Sequence, residues 1–279
     1  MKPNPPTAFW RFWLTRVVFA FVITIAIRLI VAILDGAGLP TFVSRAIGLI
    51  IGTATLIGLG KIGWLQPRIN GLQPPNPARG LLFGAVTGTG LYSGIVLVAV
   101  IAGWYAVQGT SFDFAALLGG FGLLLFAGAF EEVLFRGVLF QPLETAIGTG
   151  WALALSGALF GALHLGNTNT NATVVGAIAV GLAGIALGAV FAWRRDLWLL
   201  TGLHVMWNFM QGPIFGVAVS GNTFSGLIQP RIQGPEVFTG GAFGFEAGAI
   251  TVTLCLVSTV WLLQRTRDAG RWQGLSKRV

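Results

Sequence analysis

Residues 14–34 read LTRVVFAFVITIAIRLIVAIL, an apolar run in which Arg16 and Arg28 are the only charged residues. A helix of this length crosses the roughly 30 Å hydrocarbon core of a bilayer. Seven further apolar runs follow, at about residues 42–60, 80–103, 114 onward, 153–165, 174–191, 197–215 and 247–263. None of them shows sustained period-two alternation, so helices are expected rather than strands. The sequence therefore predicts an all-α, polytopic integral membrane protein with about eight transmembrane helices.

The composition argues against a water-soluble domain. Of the 279 residues, 54% are apolar and only 9% are charged, whereas about a quarter of the residues in a soluble domain are charged. The net charge of +8 comes without a basic patch interleaved with aromatic residues, so no nucleic-acid partner is expected. The single cysteine, Cys255, excludes an intrachain disulfide and a cysteine-based zinc site. We expect residues 1–279 to form a single membrane domain.

The basic residues between the apolar runs predict the orientation in the membrane. If the amino terminus is cytoplasmic, most Lys and Arg residues lie in cytoplasmic segments: Lys2, Arg11, Arg16, Lys61, Arg68, Arg79, Arg194, Arg195, Arg265, Arg267, Arg271, Lys277 and Arg278. Only Arg45 and Arg231 then lie in or beside external loops, which is the asymmetry of the positive-inside rule. We therefore expect eight spans with both termini cytoplasmic. The short tails and the lack of a recognisable targeting segment are typical of a bacterial protein, so the inner (plasma) membrane is expected.

Ionisable side chains are rare within the apolar runs, apart from Arg16 and Arg45 near the ends of the first two runs. A charge at the bilayer centre costs about 2.5–3.5 kcal/mol on insertion scales, so such residues are functional candidates by default. The set includes both histidines of the chain, and its members are Arg28, Glu131, Glu132, Arg136, His164 and His204. By spacing, Arg28 has no partner except Asp35, two turns on, and a structural or snorkelling role is expected for it.

Helical spacing sorts the other candidates. Glu132 and Arg136 are four residues apart and can form an ion pair, which lowers the cost of burying both charges. Glu131 lies about 100° away around the helix and is expected to remain free for chemistry. On two later runs, the residues that share a helix face are Phe160 with His164 and His204 with Asn208.

A carboxylate, two imidazoles and an amide could therefore meet from three helices. A carboxylate beside a histidine can take a proton from water and return it to a leaving amine. A histidine and an asparagine on one face can donate hydrogen bonds to a developing oxyanion. Such a set could hydrolyse an amide bond. Each pair alone is also compatible with simple packing, and proton or ion transport is the main rival for the paired glutamates.

The three segments resemble the motifs of the CPBP intramembrane proteases, a family that includes type II CAAX prenyl endopeptidases and bacterial bacteriocin-processing or immunity proteins. The motifs occur in family order, each on an apolar run: Glu131-Glu132-x-x-x-Arg136, Phe160-x-x-x-His164 and His204-x-x-x-Asn208. They lie within residues 114–215, which we expect to form the catalytic core. The resemblance implies peptide-bond hydrolysis inside the membrane, with supporting roles for Glu132 and Arg136.

The same resemblance implies that Glu131 and His164 activate water and that His204 and Asn208 stabilise the oxyanion. Members of the family are often called metalloproteases, and Glu131, His164 and His204 are a possible zinc set by residue type. However, Glu131 would then have to act as both ligand and base, because Glu132 faces Arg136. No firm cofactor is therefore expected, and a metal-free mechanism is favoured, with zinc as the alternative.

The sequence thus favours an intramembrane endopeptidase that cleaves a membrane-associated peptide or protein in the lipid bilayer. Two alternatives stay open. A proton-coupled transporter could use the same residues as a relay, although such proteins usually show internal repeats and none is evident here. A catalytically silent membrane scaffold or immunity protein is the other, and the intact motifs argue against it. A peptide leader is a more natural substrate for a bacterial protein than a prenylated Cys-a-a-X tail.

Overall fold

The computed structural model describes residues 5–61, 71–165 and 173–275, with side chains from residue 15 onward except residue 41. Its helices are α1 Pro5–Gly36, α2 Thr41–Lys61, α3 Pro77–Ile101, α4 Phe114–Glu132, α5 Gln141–His164, α6 Val174–Arg194, α7 Leu197–Phe209, α8 Glu236–Thr239 and α9 Ala249–Asp268. Two π-helical segments, Val133–Phe140 and Met210–Ile214, follow α4 and α7. Two short strands, β1 Tyr105–Thr110 and β2 Ile228–Ile232, complete the fold.

Within the described residues, six helical segments are long and apolar enough to cross a membrane: Thr15–Gly36, Phe42–Lys61, Pro77–Ile101, Phe114–His164, Val174–Arg194 and Ala249–Asp268. The fourth has 51 residues, a helical length of about 76 Å and more than twice a bilayer core. It bends at Gly148, whose φ is 79°. The predicted all-α multi-pass membrane fold is confirmed, while the count of eight spans stays a prediction.

Side-chain caps define where two helices of the site begin. Asp113 accepts a hydrogen bond of 3.0 Å from the amide of Ala116 at the start of α4. Asp196 accepts bonds of 3.0 and 3.1 Å from the amides of Trp198 and Leu199 at the start of α7. The first amides of a helix have no partner within it, so these aspartates satisfy donors that would otherwise remain unpaired. These hydrogen bonds fix the first residues of α4 and α7.

Small residues bring α5 and α6 close together. A Cβ atom on Gly184 would lie 3.0 Å from the Phe160 side chain, and one on Gly188 would lie 2.7 Å from Leu153. The absence of side chains at both glycines therefore allows the two helices to approach closely. The close approach also exposes the Gly184 carbonyl to Arg136, whose Nη2 donates a 2.8 Å hydrogen bond to it. Helix packing and site geometry are thus connected at one residue.

A small antiparallel sheet is a feature that the sequence analysis missed. Strand β1 pairs with β2, with Tyr105 opposite Ile232 and a bulge between Val107 and Gly109. Residues 216–245 are rich in glycine, and β2 is short and contains Pro230, so the local sequence does not indicate a strand here. The partner strand lies more than a hundred residues earlier, so no local pattern in the chain indicates the pairing.

Candidate active site

Two adjacent carboxylates lie at the end of α4. Glu131 and Glu132 are its last residues, and the π-helical segment Val133–Phe140 starts immediately after them. Such π-helical turns are frequent at functional sites because they change the angular register of a helix. The two side chains have different surroundings: Glu132 is fully buried, whereas the Glu131 side chain is 15% exposed and lines a cavity.

The predicted ion pair between Glu132 and Arg136 is confirmed. Arg136 Nη1 lies 3.0 Å from Glu132 Oε1, and both side chains are buried. The guanidinium also lies over the Phe160 ring, with its Cζ atom 5.0 Å from the ring centroid. Together with the bond to the Gly184 carbonyl, these contacts tie α4, α5 and α6 together around one buried cation.

Glu132 has a second partner that spacing did not predict. His204 Nδ1 donates a 2.8 Å hydrogen bond to Glu132 Oε1. The carboxylate orients the imidazole and stabilises its protonated form. The other ring nitrogen, Nε2, lies 3.9 Å from Glu131 Oε2. Glu132 therefore supports His204 as well as Arg136, and it directs His204 Nε2 toward Glu131.

His164 is oriented by its own helix. Its Nδ1 donates a 2.7 Å hydrogen bond to the carbonyl of Phe160, which leaves Nε2 as the proton-accepting nitrogen of the neutral ring. The ring of Phe160 contacts both histidines, with centroid distances of 4.7 Å to His164 and 6.3 Å to His204. His164 also interacts electrostatically with Glu131. Because Phe160 and His164 share a helix face, Phe160 fixes the orientation of the His164 ring through both its carbonyl and its side chain.

The ion-pair partner of Arg28 is Glu131, and not Asp35 as its spacing on the helix suggested. Arg28 Nη1 lies 3.5 Å from Glu131 Oε1. Glu131 was predicted to have no ion-pair partner, and this prediction is wrong. Asp35, the partner suggested by spacing, instead accepts hydrogen bonds from Arg45 at 2.8 Å and from the Ser44 hydroxyl. Spacing along one helix fails here because the partner of Arg28 comes from another helix. The sequence did contain one indication of this ion pair: Arg28 and Glu131 are oppositely charged residues in two different apolar runs, and neither has a close partner on its own helix.

One cavity of about 1650 Å³ is lined by Glu131, His164, His204 and Asn208. The structure therefore brings all four predicted site residues to a common space, and Glu131 is within 3.9 Å of His204. In the described part of the chain, the Asn208 side chain makes no hydrogen bond and can donate to a ligand. The cavity is also lined by Glu246, a carboxylate that no motif in the sequence indicated.

The donor set does not fit a zinc ion. Among residues 5–61, 71–165 and 173–275, no three His, Cys, Asp or Glu side chains are grouped so that they could hold a metal ion. The guanidinium of Arg28, 3.5 Å from Glu131 Oε1, places a positive charge where a divalent cation would need the carboxylate. Glu132, in turn, accepts hydrogen bonds from both Arg136 and His204 at its Oε1 atom.

Glu132→Ala is expected to destabilise the protein, because it leaves the buried Arg136 guanidinium without its carboxylate. Removing one partner of a buried ion pair typically costs about 3–5 kcal/mol. Thermal unfolding in detergent should therefore show a clearly lower midpoint than the wild type. Glu236→Gln, an exposed glutamate of α8, is the control and should leave the midpoint unchanged. An unchanged midpoint for Glu132→Ala would contradict the structural role of this pair.

The comparisons with known proteins agree with the site. Residues 113–210 match a family described as Type II CAAX prenyl endopeptidase Rce1-like. The predicted resemblance to the CPBP and CAAX proteases is confirmed by this match, and the matched region contains all three motifs. No curated protein sequence matches the chain significantly.

Proposed function

We propose that this chain, whose residues 113–210 match the Rce1-like type II CAAX prenyl endopeptidases, is an intramembrane endopeptidase for a membrane-associated peptide or protein. One observation carries the proposal: Glu131, His164 and His204 line one cavity, and each imidazole is oriented through its Nδ1. Oriented imidazoles beside a carboxylate are suited to proton transfer and oxyanion stabilisation. The match to an endopeptidase family supports the same reaction.

Water activation is assigned to Glu131 and His164. A water molecule between the Glu131 carboxylate and His164 Nε2 loses a proton to Glu131 as its oxygen attacks the carbonyl carbon of the scissile bond, while Nε2 accepts a hydrogen bond from the same water. The Nδ1 bond of His164 to the Phe160 carbonyl keeps Nε2 available as acceptor. Arg28 favours the ionised form of Glu131, which the reaction requires.

The tetrahedral intermediate carries its negative charge on the former carbonyl oxygen. His204, protonated and held by Glu132, donates from Nε2, and Asn208 donates from its side-chain amide. Collapse of the intermediate breaks the C–N bond, and the proton taken from water passes to the leaving amine. The products are a new carboxylate and a new amine, so atoms and charge balance without a further reactant.

We also propose that catalysis is metal-free. The arrangement that supports this is the ion pair of Glu131 with Arg28, together with the double engagement of Glu132 by Arg136 and His204. A metal would have to displace a guanidinium from the carboxylate that the mechanism uses as base. We propose in addition that residues 114–215, which contain the three motifs, form the catalytic core of a single membrane domain.

The proposed orientation in the membrane predicts opposite exposure of two connections. With both termini cytoplasmic, residue 70 is expected on the cytoplasmic side and residue 230, in β2, on the other. Single cysteines at these positions, in a Cys255→Ser background, should react with an impermeant thiol reagent from opposite sides of sealed vesicles. Labelling of both positions from the same side would contradict this topology. Residue 70 lies outside the described part of the structure.

Reconstitution tests the function against its alternatives. Purified protein in lipid vesicles should cleave a library of amphipathic peptides into two fragments whose masses sum to the peptide plus one water. A proton-coupled transporter would instead produce peptide-dependent proton flux without fragments. A silent scaffold would bind peptides without either signal. Either of these two outcomes would overturn the endopeptidase proposal.

A further inference from the structure

Glu246 is a buried carboxylate outside the three motifs. It lies in the connection just before α9, and the residue is 8% exposed. Its Oε2 accepts hydrogen bonds of 3.0 Å from the amide and 2.8 Å from the hydroxyl of Ser220. These contacts fix the side chain at the wall of the same cavity that Glu131, His164 and His204 line.

The Glu246 carboxylate has no cationic partner. In the part of the chain that the structure describes, no Lys, Arg or His nitrogen lies within 4 Å of it, and its Oε1 accepts no hydrogen bond. Other carboxylates on the cavity wall are engaged: Asp35 by Arg45, Glu131 by Arg28, and Asp196 by the first amides of α7. Glu246 is therefore the carboxylate on this wall that can still take a cation.

Burial acts on this group as expected for an unpaired acid. Loss of hydration raises the pKa of Glu246 to about 7, and the Ser220 hydrogen bonds offset only part of this effect. Glu246 interacts electrostatically with both His204 and Glu131. A charge bound at Glu246 would therefore lie close to the bond that these residues act on. A cation paired with Glu246 would be attracted more strongly than in water, because Glu246 is only 8% exposed and a buried charge is screened less by solvent.

We propose that Glu246 is a specificity determinant that binds a basic side chain of the substrate near the scissile bond. This inference rests on the proposed endopeptidase function. A lysine or arginine side chain can extend along the apolar cavity wall and donate to Oε1, while Oε2 keeps its bonds to Ser220. The residue touches the substrate side chain but takes no part in the proton transfers assigned to Glu131 and His164.

A purely structural role is the competing explanation, because Ser220 has a positive φ of 47° and Glu246 holds that turn. The two roles predict different effects on substrates. A structural carboxylate affects folding and the cleavage of all peptides alike. A recognition carboxylate affects peptides with a basic residue and leaves matched neutral peptides alone.

The test uses the full-length protein in vesicles and matched peptides that carry lysine, norleucine or glutamate at each position around the cleaved bond. At one position, the wild type is expected to prefer lysine over norleucine by about tenfold to a hundredfold in kcat/KM, the range of a charged hydrogen bond. Glu246→Gln should remove this preference but still cleave the norleucine peptide. Glu236→Gln, the same change at an exposed site, should keep the preference.

Two further arms keep the inference separate from the proposed function and from folding. Binding of the lysine and norleucine peptides to Glu131→Gln, which should not cleave, must show the same preference. If no peptide is cleaved, the endopeptidase proposal fails, and this binding arm still decides the role of Glu246. The wild-type comparison needs no Glu246 variant, so misfolding of Glu246→Gln cannot obscure it. Equal use of lysine and norleucine at every position, or a preference retained by Glu246→Gln, would overturn the inference.

Discussion

Glu131→Gln is expected to abolish peptide cleavage while leaving the fold intact. Glutamine has the size of glutamate and can still accept a hydrogen bond from Arg28, but it cannot take a proton from water. Loss of a general base typically lowers the rate by about 10²–10⁴-fold, which would bring turnover close to the background. The rate is measured in vesicles by fragment formation, with thermal unfolding as a check on folding.

Glu236→Gln is the matched control for this substitution, because it makes the same chemical change at an exposed glutamate of α8. It should cleave peptides at the wild-type rate. Near-normal turnover by Glu131→Gln would show that Glu131 is not the base. A similar loss in the control would point to a general effect of removing negative charge.

His164→Ala is expected to cause a loss of similar size. It removes Nε2, the nitrogen left free by the bond between Nδ1 and the Phe160 carbonyl. The truncation leaves a space the size of an imidazole ring beside the cavity, so added imidazole should restore part of the activity. Rescue by imidazole distinguishes the loss of the nitrogen that positions the water from a packing defect. Undiminished turnover by His164→Ala would contradict the assigned role.

The local part of the site could be predicted from the sequence. The pair of Glu132 with Arg136 follows from four-residue spacing on one helix, and the shared face of Phe160 and His164 follows in the same way. The helical membrane fold follows from the apolar runs. These features depend on residues close together in the chain, and the helical period determines which of those residues lie on the same face.

The contacts between helices could not be predicted in this way. The bond from His204 to Glu132 joins residues 72 apart, and that from Arg28 to Glu131 joins residues 103 apart. Their formation depends on how the helices pack, and that is set by many side chains together. The π-helical turns after Glu132 and the strand pairing of β2 likewise depend on tertiary structure. Glu246 was missed because a single glutamate in a Gly-rich connection has no motif around it.

In the proposed mechanism, Glu131 and His164 activate water for peptide-bond hydrolysis without a metal ion. The measurement that tests it most directly is turnover by purified protein treated with a chelator, with the metal content of the same sample determined by elemental analysis. Metal-free catalysis predicts unchanged cleavage by the wild type at far less than one metal ion per chain, and no cleavage by Glu131→Gln in parallel. Activity that disappears with the metal and returns on addition of zinc alone would contradict the account and make Glu131, His164 and His204 the ligands to test.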